Sequence, residues 1–161
     1  RMKRLTILLL LLSLFTSGCA DRLKEPVTFY YIRGNYEEDM SAVLASERRE
    51  ASGHRDDLSY LMALYLMGPA EEDLRSPLPR SVSILSAEHR DSTVTLELTD
   101  TSDSMTDAQF TLACSCLTLT CLELTEAKYI TVNSGDRSVT MGADTLLLQD
   151  LATDTGMEAT Q

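Results

Sequence analysis

The sequence of 161 residues is poor in basic side chains. It has 14 Lys and Arg against 25 Asp and Glu, which gives a formal net charge of −11. Nucleic acids and anionic membrane surfaces repel such a chain at long range, and binding to them would lack the free energy of counterion release. We therefore expect no nucleic-acid partner and no membrane attachment through surface charge.

The short motifs of common enzyme chemistry are also missing. The glycines are isolated, so no Gly-rich loop can hold phosphates, and no serine lies in a nucleophile elbow. We interpret His54, in a loop, and His89, at the polar end of a hairpin, as solvated side chains. Asp100, Asp103 and Asp107 lack the order of an EF-hand loop, and helix capping explains them better than calcium. We predict no catalytic residue, no metal site and no cofactor.

Cysteine is too scarce and too clustered for a disulfide framework. Three of the four cysteines, Cys114, Cys116 and Cys121, lie within eight residues of one another. In a helix, Cys114 and Cys121 would be about 10 Å apart on one face, beyond the reach of a disulfide, and Cys116 would lie on a different face. No histidine is close enough in sequence to complete a zinc site. We interpret the three thiols as small core residues.

An export signal is present at the start of the chain. Three basic residues within the first four precede the apolar run 5–15, and residues 16–19 are Thr-Ser-Gly-Cys. This order is typical of a bacterial lipoprotein signal peptide, although Thr16 replaces the usual leucine of the lipobox. We expect cleavage after residue 18 and attachment of a diacylglycerol to the thiol of Cys19. The lipid then holds the chain at the extracytoplasmic face of the cell membrane.

Cleavage defines the expected organisation of the chain. It removes three basic residues and no acidic one, which leaves 11 basic and 25 acidic residues and a charge near −14. We expect a signal peptide at 1–18, a lipid-anchored tether at 19–26, one domain at 27–142 and an acidic tail at 143–161, whose first part docks on the domain. A mature chain of this length is one domain that buries roughly two-thirds of its surface.

The spacing of apolar residues predicts two helices. Leucine, methionine and tyrosine recur every three or four residues after a cap at 56–57, and Gly68-Pro69 ends this first helix. The second helix is expected to begin near Ser104, with Asp107 in a capping-box-like position, and to continue through the cysteine cluster to Leu124.

Alternating apolar and polar residues predict the strands. The strands predicted at 82–85 and 94–98 are expected to form an antiparallel pair connected by the polar stretch 88–92. A hairpin turn is expected at 133–136. We therefore predict the α+β class, with a small mixed β-sheet and two helices packed on one face. The predicted strands are 27–32, 42–50, 82–85, 94–98, 129–132 and 138–141.

The order of several short motifs resembles the GerMN domain, which is found in sporulation and germination lipoproteins of spore-forming bacteria. The resemblance covers roughly residues 27–142. It implies a fold similar to the ring-building motifs of secretion-system-like assemblies, and it carries no catalytic motif. Some members have two such domains in tandem, whereas this chain has room for one. The motifs are Leu66-Met67-Gly68-Pro69, Ser76-Pro77-Leu78-Pro79, the strand pair ending at 94–98, the helix ending at 117–120, and Tyr129-Ile130-Thr131-Val132.

The resemblance implies a non-catalytic module for protein interaction or assembly in sporulation or spore germination. Envelope or sporulation proteins are the expected partners. Two other hypotheses stay open. A small-ligand-binding lipoprotein would need a concave apolar pocket with convergent polar groups. A cell-envelope hydrolase would need His54 or His89 to face a cleft beside an acidic side chain.

Overall fold

The computed structural model describes residues 24–34 and 43–146. The predicted signal peptide, Cys19 and most of the predicted acidic tail lie outside the described residues. Within the described residues, no helix is both long and apolar enough to cross a bilayer. The elements are β1 (Pro26–Arg33), β2 (Leu44–Glu50), α1 (Leu58–Leu66), β3 (Leu74–Arg75), β4 (Ile84–Arg90), β5 (Thr93–Leu98), α2 (Asp107–Leu124), β6 (Tyr129–Ser134) and β7 (Arg137–Gly142).

The strands form two sheets, which corrects the prediction of one small sheet. The first has the order β2-β1-β3 and is antiparallel. The second has the order β4-β5-β6-β7, in which β5 and β6 are parallel and the outer pairs are antiparallel. The two residues of β3 are too few for an alternating pattern, so periodicity does not predict this strand. The α+β class is confirmed.

One face of the four-stranded sheet carries both helices. Val94 and Leu96 of β5 pair with Ile130 and Val132 of β6, and all four side chains are buried. On this face α1 contacts β4, and α2 contacts β6 and β7. The alternate positions of these strands are largely polar and more exposed, as expected where one face of a sheet meets water.

Strand β1 has an unusual second edge. It pairs with β2 along its length but with β3 only at Ile32 and Arg33. The Tyr30 amide instead donates a hydrogen bond to Thr120 Oγ1 of α2 (2.9 Å), and Tyr65 Oη donates to the Tyr30 carbonyl (3.0 Å). Side-chain hydroxyls therefore satisfy backbone groups that a neighbouring strand would otherwise pair.

Helix α2 is enclosed because it contacts β1 as well as β6 and β7. A helix with partners on several sides needs no single apolar stripe. Cys116, which we expected on a different face from the other thiols, is fully buried like them. The buried residues of α2 are Phe110, Ala113, Cys114, Cys116, Leu117, Thr118, Thr120 and Cys121.

Most element ends follow local signals. Asp57 caps α1 as predicted, accepting a hydrogen bond from the Tyr60 amide (3.0 Å), and Gly68 follows the helix with a φ of +84°. The start of α2 is corrected: its cap is Thr106, paired with Gln109 in a capping box.

The end of β4 also differs from the prediction, because this strand continues to Arg90 and the turn to β5 is only two residues long. His89 therefore lies in the strand. An edge strand tolerates polar side chains, so its composition resembles that of a loop.

Candidate docking surface

Two motifs that are apart in sequence meet at one cleft. Gly68-Pro69 follows α1, and Ser76–Pro79 follows β3. Both segments line a cleft of about 380 Å³, together with Leu66, Met67, Leu74, Arg75, Arg80 and Val82. The Ser76 hydroxyl donates to the Leu78 carbonyl (3.1 Å) and accepts from the Leu78 amide (3.3 Å), which fixes the turn between the two prolines.

A buried carboxylate holds one wall of this cleft. Glu47 of β2 is buried, and its carboxylate accepts hydrogen bonds from the amides of Ala70 (2.9 Å) and Glu71 (3.1 Å). Arg49 completes the arrangement, because Nη1 lies 2.9 Å from Glu47 Oε1 and 3.0 Å from the Gly68 carbonyl. Glu47 was not predicted as a functional or buried residue. Glu47 is two residues from Ala45 in β2, and residues two apart in a strand lie on the same face of the sheet. This spacing was the available signal that Glu47 points inward.

Two stacked tyrosines fix α1 on β1. The rings of Tyr31 and Tyr65 are parallel within 5°, with centroids 4.8 Å apart, and Tyr31 Oη donates to the Tyr65 carbonyl (3.1 Å). Burial, and then the charge of Glu47, raises the pKa of Tyr31. Burial is also the main cause that raises the pKa of Tyr65. Both side chains therefore remain neutral donors, and the outer side of α1 has a defined position.

Two large apolar side chains near the end of α1 and in β4 are open to solvent. The exposed fraction is 78% for Met67 and 67% for Leu85. Leu85 is the extra residue of a β-bulge in β4, where the register shifts between Ile84 and Ser86, and bulges redirect side chains in this way. A smaller cavity of about 130 Å³ lies between α1 and β4 and is lined by Leu66 and Leu85.

Leu66 lines both the cleft and the smaller cavity, so the two adjoin at this side chain. We call the surface formed by Leu66, Met67, Arg75, Arg80 and Leu85 the docking surface. Single exposed apolar side chains are ordinary, whereas apolar side chains grouped beside a cleft are a feature of interaction sites.

A further cavity, of about 280 Å³, lies on the other side of the Ser76–Pro79 turn. It is lined mainly by apolar residues such as Ile32 and Leu112, with Ser76, Ser104 and Gln109 as polar members. This volume is at the lower end of those of small-molecule pockets.

The two histidines occupy different settings. His54 is exposed and its ring stacks on Tyr60, with centroids 4.1 Å apart. His89 lines a cavity of about 340 Å³ with Asp56, Glu126 and Thr125. This is the kind of cleft that the hydrolase hypothesis requires, but Thr125 Oγ1 donates to the Cys121 carbonyl (2.7 Å). Within the described residues, His89 makes no side-chain hydrogen bond that would activate a nucleophile.

Two of the three aspartates considered for calcium, Asp100 and Asp107, have separate roles. Asp100 accepts a hydrogen bond from the Ser102 amide (2.9 Å), which is the main cause that lowers the pKa of Asp100. Asp107 lies 3.5 Å from Arg137 Nη1. Across residues 24–34 and 43–146, no group of three His, Cys, Asp or Glu side chains is arranged to hold a metal.

Cys114, Cys116 and Cys121 are free and buried, which confirms their interpretation as core residues. Burial raises the pKa of each thiol to about 12. A thiol with such a pKa carries almost no thiolate at neutral pH, so these cysteines are poor nucleophiles.

Comparison with known proteins gives one family. The model of the Germane family, described as sporulation and spore germination, matches residues 28–139. Among solved structures, the chain is similar to the tandem GerMN domains of the sporulation protein GerM from Bacillus subtilis. The identity is 21% and the TM-score 0.48, and the match covers 76% of this chain and 43% of that one.

A crystal structure of a candidate lipoprotein from Clostridium perfringens is also similar. Its identity is 15% and its TM-score 0.47, and the match covers 76% of this chain and 89% of that one. No curated protein shows a significant match to the sequence.

Proposed function

The chain belongs to the Germane family of sporulation and spore germination, and from this premise we propose that it is a membrane-anchored assembly module without catalytic activity. The observation that carries the proposal is the docking surface, where the family-like motif at Gly68-Pro69 adjoins the exposed side chains of Met67 and Leu85. Envelope or sporulation proteins are the proposed partners. Burial of two such side chains contributes on the order of 1.5–3 kcal/mol each to association.

The proposed anchor is a diacylglycerol on Cys19, which would place the domain at the extracytoplasmic face of the cell membrane. The export signal that ends in Gly-Cys supports it. Metabolic labelling with a fatty-acid probe tests this step. We expect label on the unchanged chain and an unlabelled, unprocessed precursor for Cys19→Ala. Equal labelling of the two would contradict the anchor.

Docking is tested by cross-linking in the native membrane, followed by recovery of the tagged protein with its bound partner. We expect Met67→Asp and Leu85→Asp each to reduce recovery of the partner at least ten-fold. Tyr129→Asp is the matched control, because Tyr129 is 48% exposed and lies outside the docking surface. An equal loss in the control would show that the effect is not specific to this surface.

A parallel activity screen on peptidoglycan fragments and common ester substrates distinguishes the hydrolase hypothesis from the assembly proposal. We expect no turnover above that of a blank membrane preparation. Specific hydrolysis that disappears in His89→Ala or His54→Ala, with no protein partner recovered at low salt, would replace assembly with catalysis as the function.

A further inference from the structure

The docking surface differs in charge from the chain as a whole. Arg75 and Arg80 line its cleft, and none of the residues that line this cleft is acidic, although the acidic residues 71–73 immediately precede β3. Neither arginine forms an ion pair with any residue in the described part of the chain. A chain with 11 more acidic than basic residues thus presents, beside exposed apolar side chains, two arginines that form no ion pair with the residues the structure describes.

The shape of this surface indicates the kind of occupant that it fits. The cleft and the cavity beside Leu85 adjoin at Leu66, so the surface is elongated. One small molecule would fill a single cavity and leave the other open. An extended peptide segment with carboxylates for the arginines and large apolar side chains for Met67 and Leu85 matches the whole surface.

The chain contains such a segment at residues 147–158. It has Leu147, Leu148 and Leu151 as large apolar residues, and it contains no Lys, Arg or His. Asp150, Asp154 and Glu158 recur every four residues, and Leu151 follows Leu147 by four, so acidic and apolar residues are interspersed along the segment.

We propose that residues 147–158 bind the docking surface of their own chain, with their carboxylates at Arg75 and Arg80 and their leucines against Met67 and Leu85. Carboxylates bind arginine through charge-assisted hydrogen bonds. Because the segment belongs to the same chain, its effective concentration at the surface is on the order of millimolar, far above that of a neighbouring copy in dilute solution.

The chain is long enough for this contact. Gly142, at the end of β7, is paired through Tyr129 and Thr93 with Arg90 of β4, and Leu85 lies five residues further along β4. Three strand spacings and five residues correspond to roughly 14 Å and 17 Å along the two directions of the sheet. The fifteen residues 147–161 span up to about 50 Å when extended.

The segment would cover the exposed apolar side chains until a partner displaces it. That consequence rests on the proposed function, because it requires a partner at the same surface. The binding of the segment itself does not depend on the proposed function.

Photo-cross-linking in the full chain tests the contact. A benzophenone amino acid at position 151 replaces Leu151, and mass spectrometry locates the cross-linked peptides. We expect products within 66–85. The double variant Arg75→Glu, Arg80→Glu should reduce their yield at least five-fold, and adding Asp150→Arg and Asp154→Arg should restore it. The control, Arg48→Glu with Arg90→Glu, makes the same charge change at two exposed arginines outside the surface.

Products elsewhere on the chain, an equal loss in the control, or no recovery in the charge-swapped variant would overturn the proposal. Products that join isotopically labelled and unlabelled copies would overturn the intramolecular contact. Met67→Asp gives a second variant without charge reversal at the arginines, and circular dichroism verifies that each variant is folded. If the internal cross-links form but no partner is captured, the result contradicts the proposed function and leaves the internal contact standing.

Discussion

Of the two helices, the one with the more apolar sequence, α1, is the less buried. Eight of the nine residues of α1 are apolar or aromatic, yet only Leu61, Met62 and Tyr65 are buried. Helix α2 has threonines, cysteines and a serine among its 18 residues, yet eight of its residues are buried, including Thr118 and Thr120. Composition alone would have placed α1 deeper in the protein than α2.

The difference shows that neighbours, more than composition, decide how deeply a helix is buried. Helix α2 lies against β1 as well as the four-stranded sheet, so even Thr118, Thr120 and its cysteines are buried. Helix α1 has one covered side, so several of its leucines remain partly exposed. A surplus of apolar surface is expected where a protein keeps a site for another molecule.

The strongest test of the comparison removes the carboxylate that holds the loop after α1. We expect Glu47→Ala to reduce the free energy of unfolding by roughly 3–5 kcal/mol, because it leaves Arg49 and two backbone amides without their partner. Glu47→Gln keeps the size and one acceptor and should cost less. Denaturant unfolding measures both. A loss below about 1 kcal/mol for the alanine variant would mean that the loop does not depend on Glu47.

Alkaline pH tests the enclosure of α2. The pKa of each of its three thiols is raised from 9.0 to about 12 by burial. The folded state therefore keeps protons that the unfolded state loses, so stability is complete below pH 9 and falls as pH rises toward 12.

By pH 10 the loss should be on the order of 1 kcal/mol per fully buried thiol. Urea unfolding at pH 8 and pH 10 measures it. The variant with all three cysteines replaced by alanine should show a flatter dependence, which separates the thiols from tyrosine and lysine. An unchanged slope in that variant would show that the thiols do not cause the loss.

One substitution made in both helices compares them directly. Ala113 of α2 is fully buried, whereas Ala63 of α1 is exposed. We expect Ala113→Leu to destabilise the protein by about 1–3 kcal/mol through overpacking, and Ala63→Leu to change stability by less than about 0.5 kcal/mol. Thermal unfolding of the two variants provides the measurement. Equal effects would remove the contrast between the helices.

The smallest expected effect concerns the thiols as packing groups. Cys114→Ala and Cys121→Ala should each cost on the order of 1 kcal/mol at neutral pH, the scale for loss of a small buried group. Neither chelator nor reductant should alter the melting temperature of the unchanged protein. A melting temperature that collapses in either reagent would assign the thiols to a metal or a disulfide.

The sequence predicts well those features that depend on neighbouring residues. The Asp57 cap and the end of α1 before Gly68 follow from local capping and φ preferences, and the order of the main elements follows from apolar spacing. The division into two sheets depends on which strands meet, which periodicity does not encode.

The docking surface was equally hidden in the sequence. It requires the contact of Glu47 with a loop more than twenty residues away and the bulge that turns Leu85 outward. The motif at Leu66–Pro69 marked one part of this surface but did not show that Met67 would be exposed.

The hydroxyl groups that close the second edge of β1 also limit aggregation. A strand from another molecule cannot extend the first sheet at Tyr30, because Thr120 and Tyr65 already occupy its amide and carbonyl. Among the described residues, only the two of β3 offer a further edge on that side. The other edge of the first sheet is β2, where a strand from another molecule could in principle be added. The exposed charges of Arg48 and Glu50 on this strand disfavour such pairing.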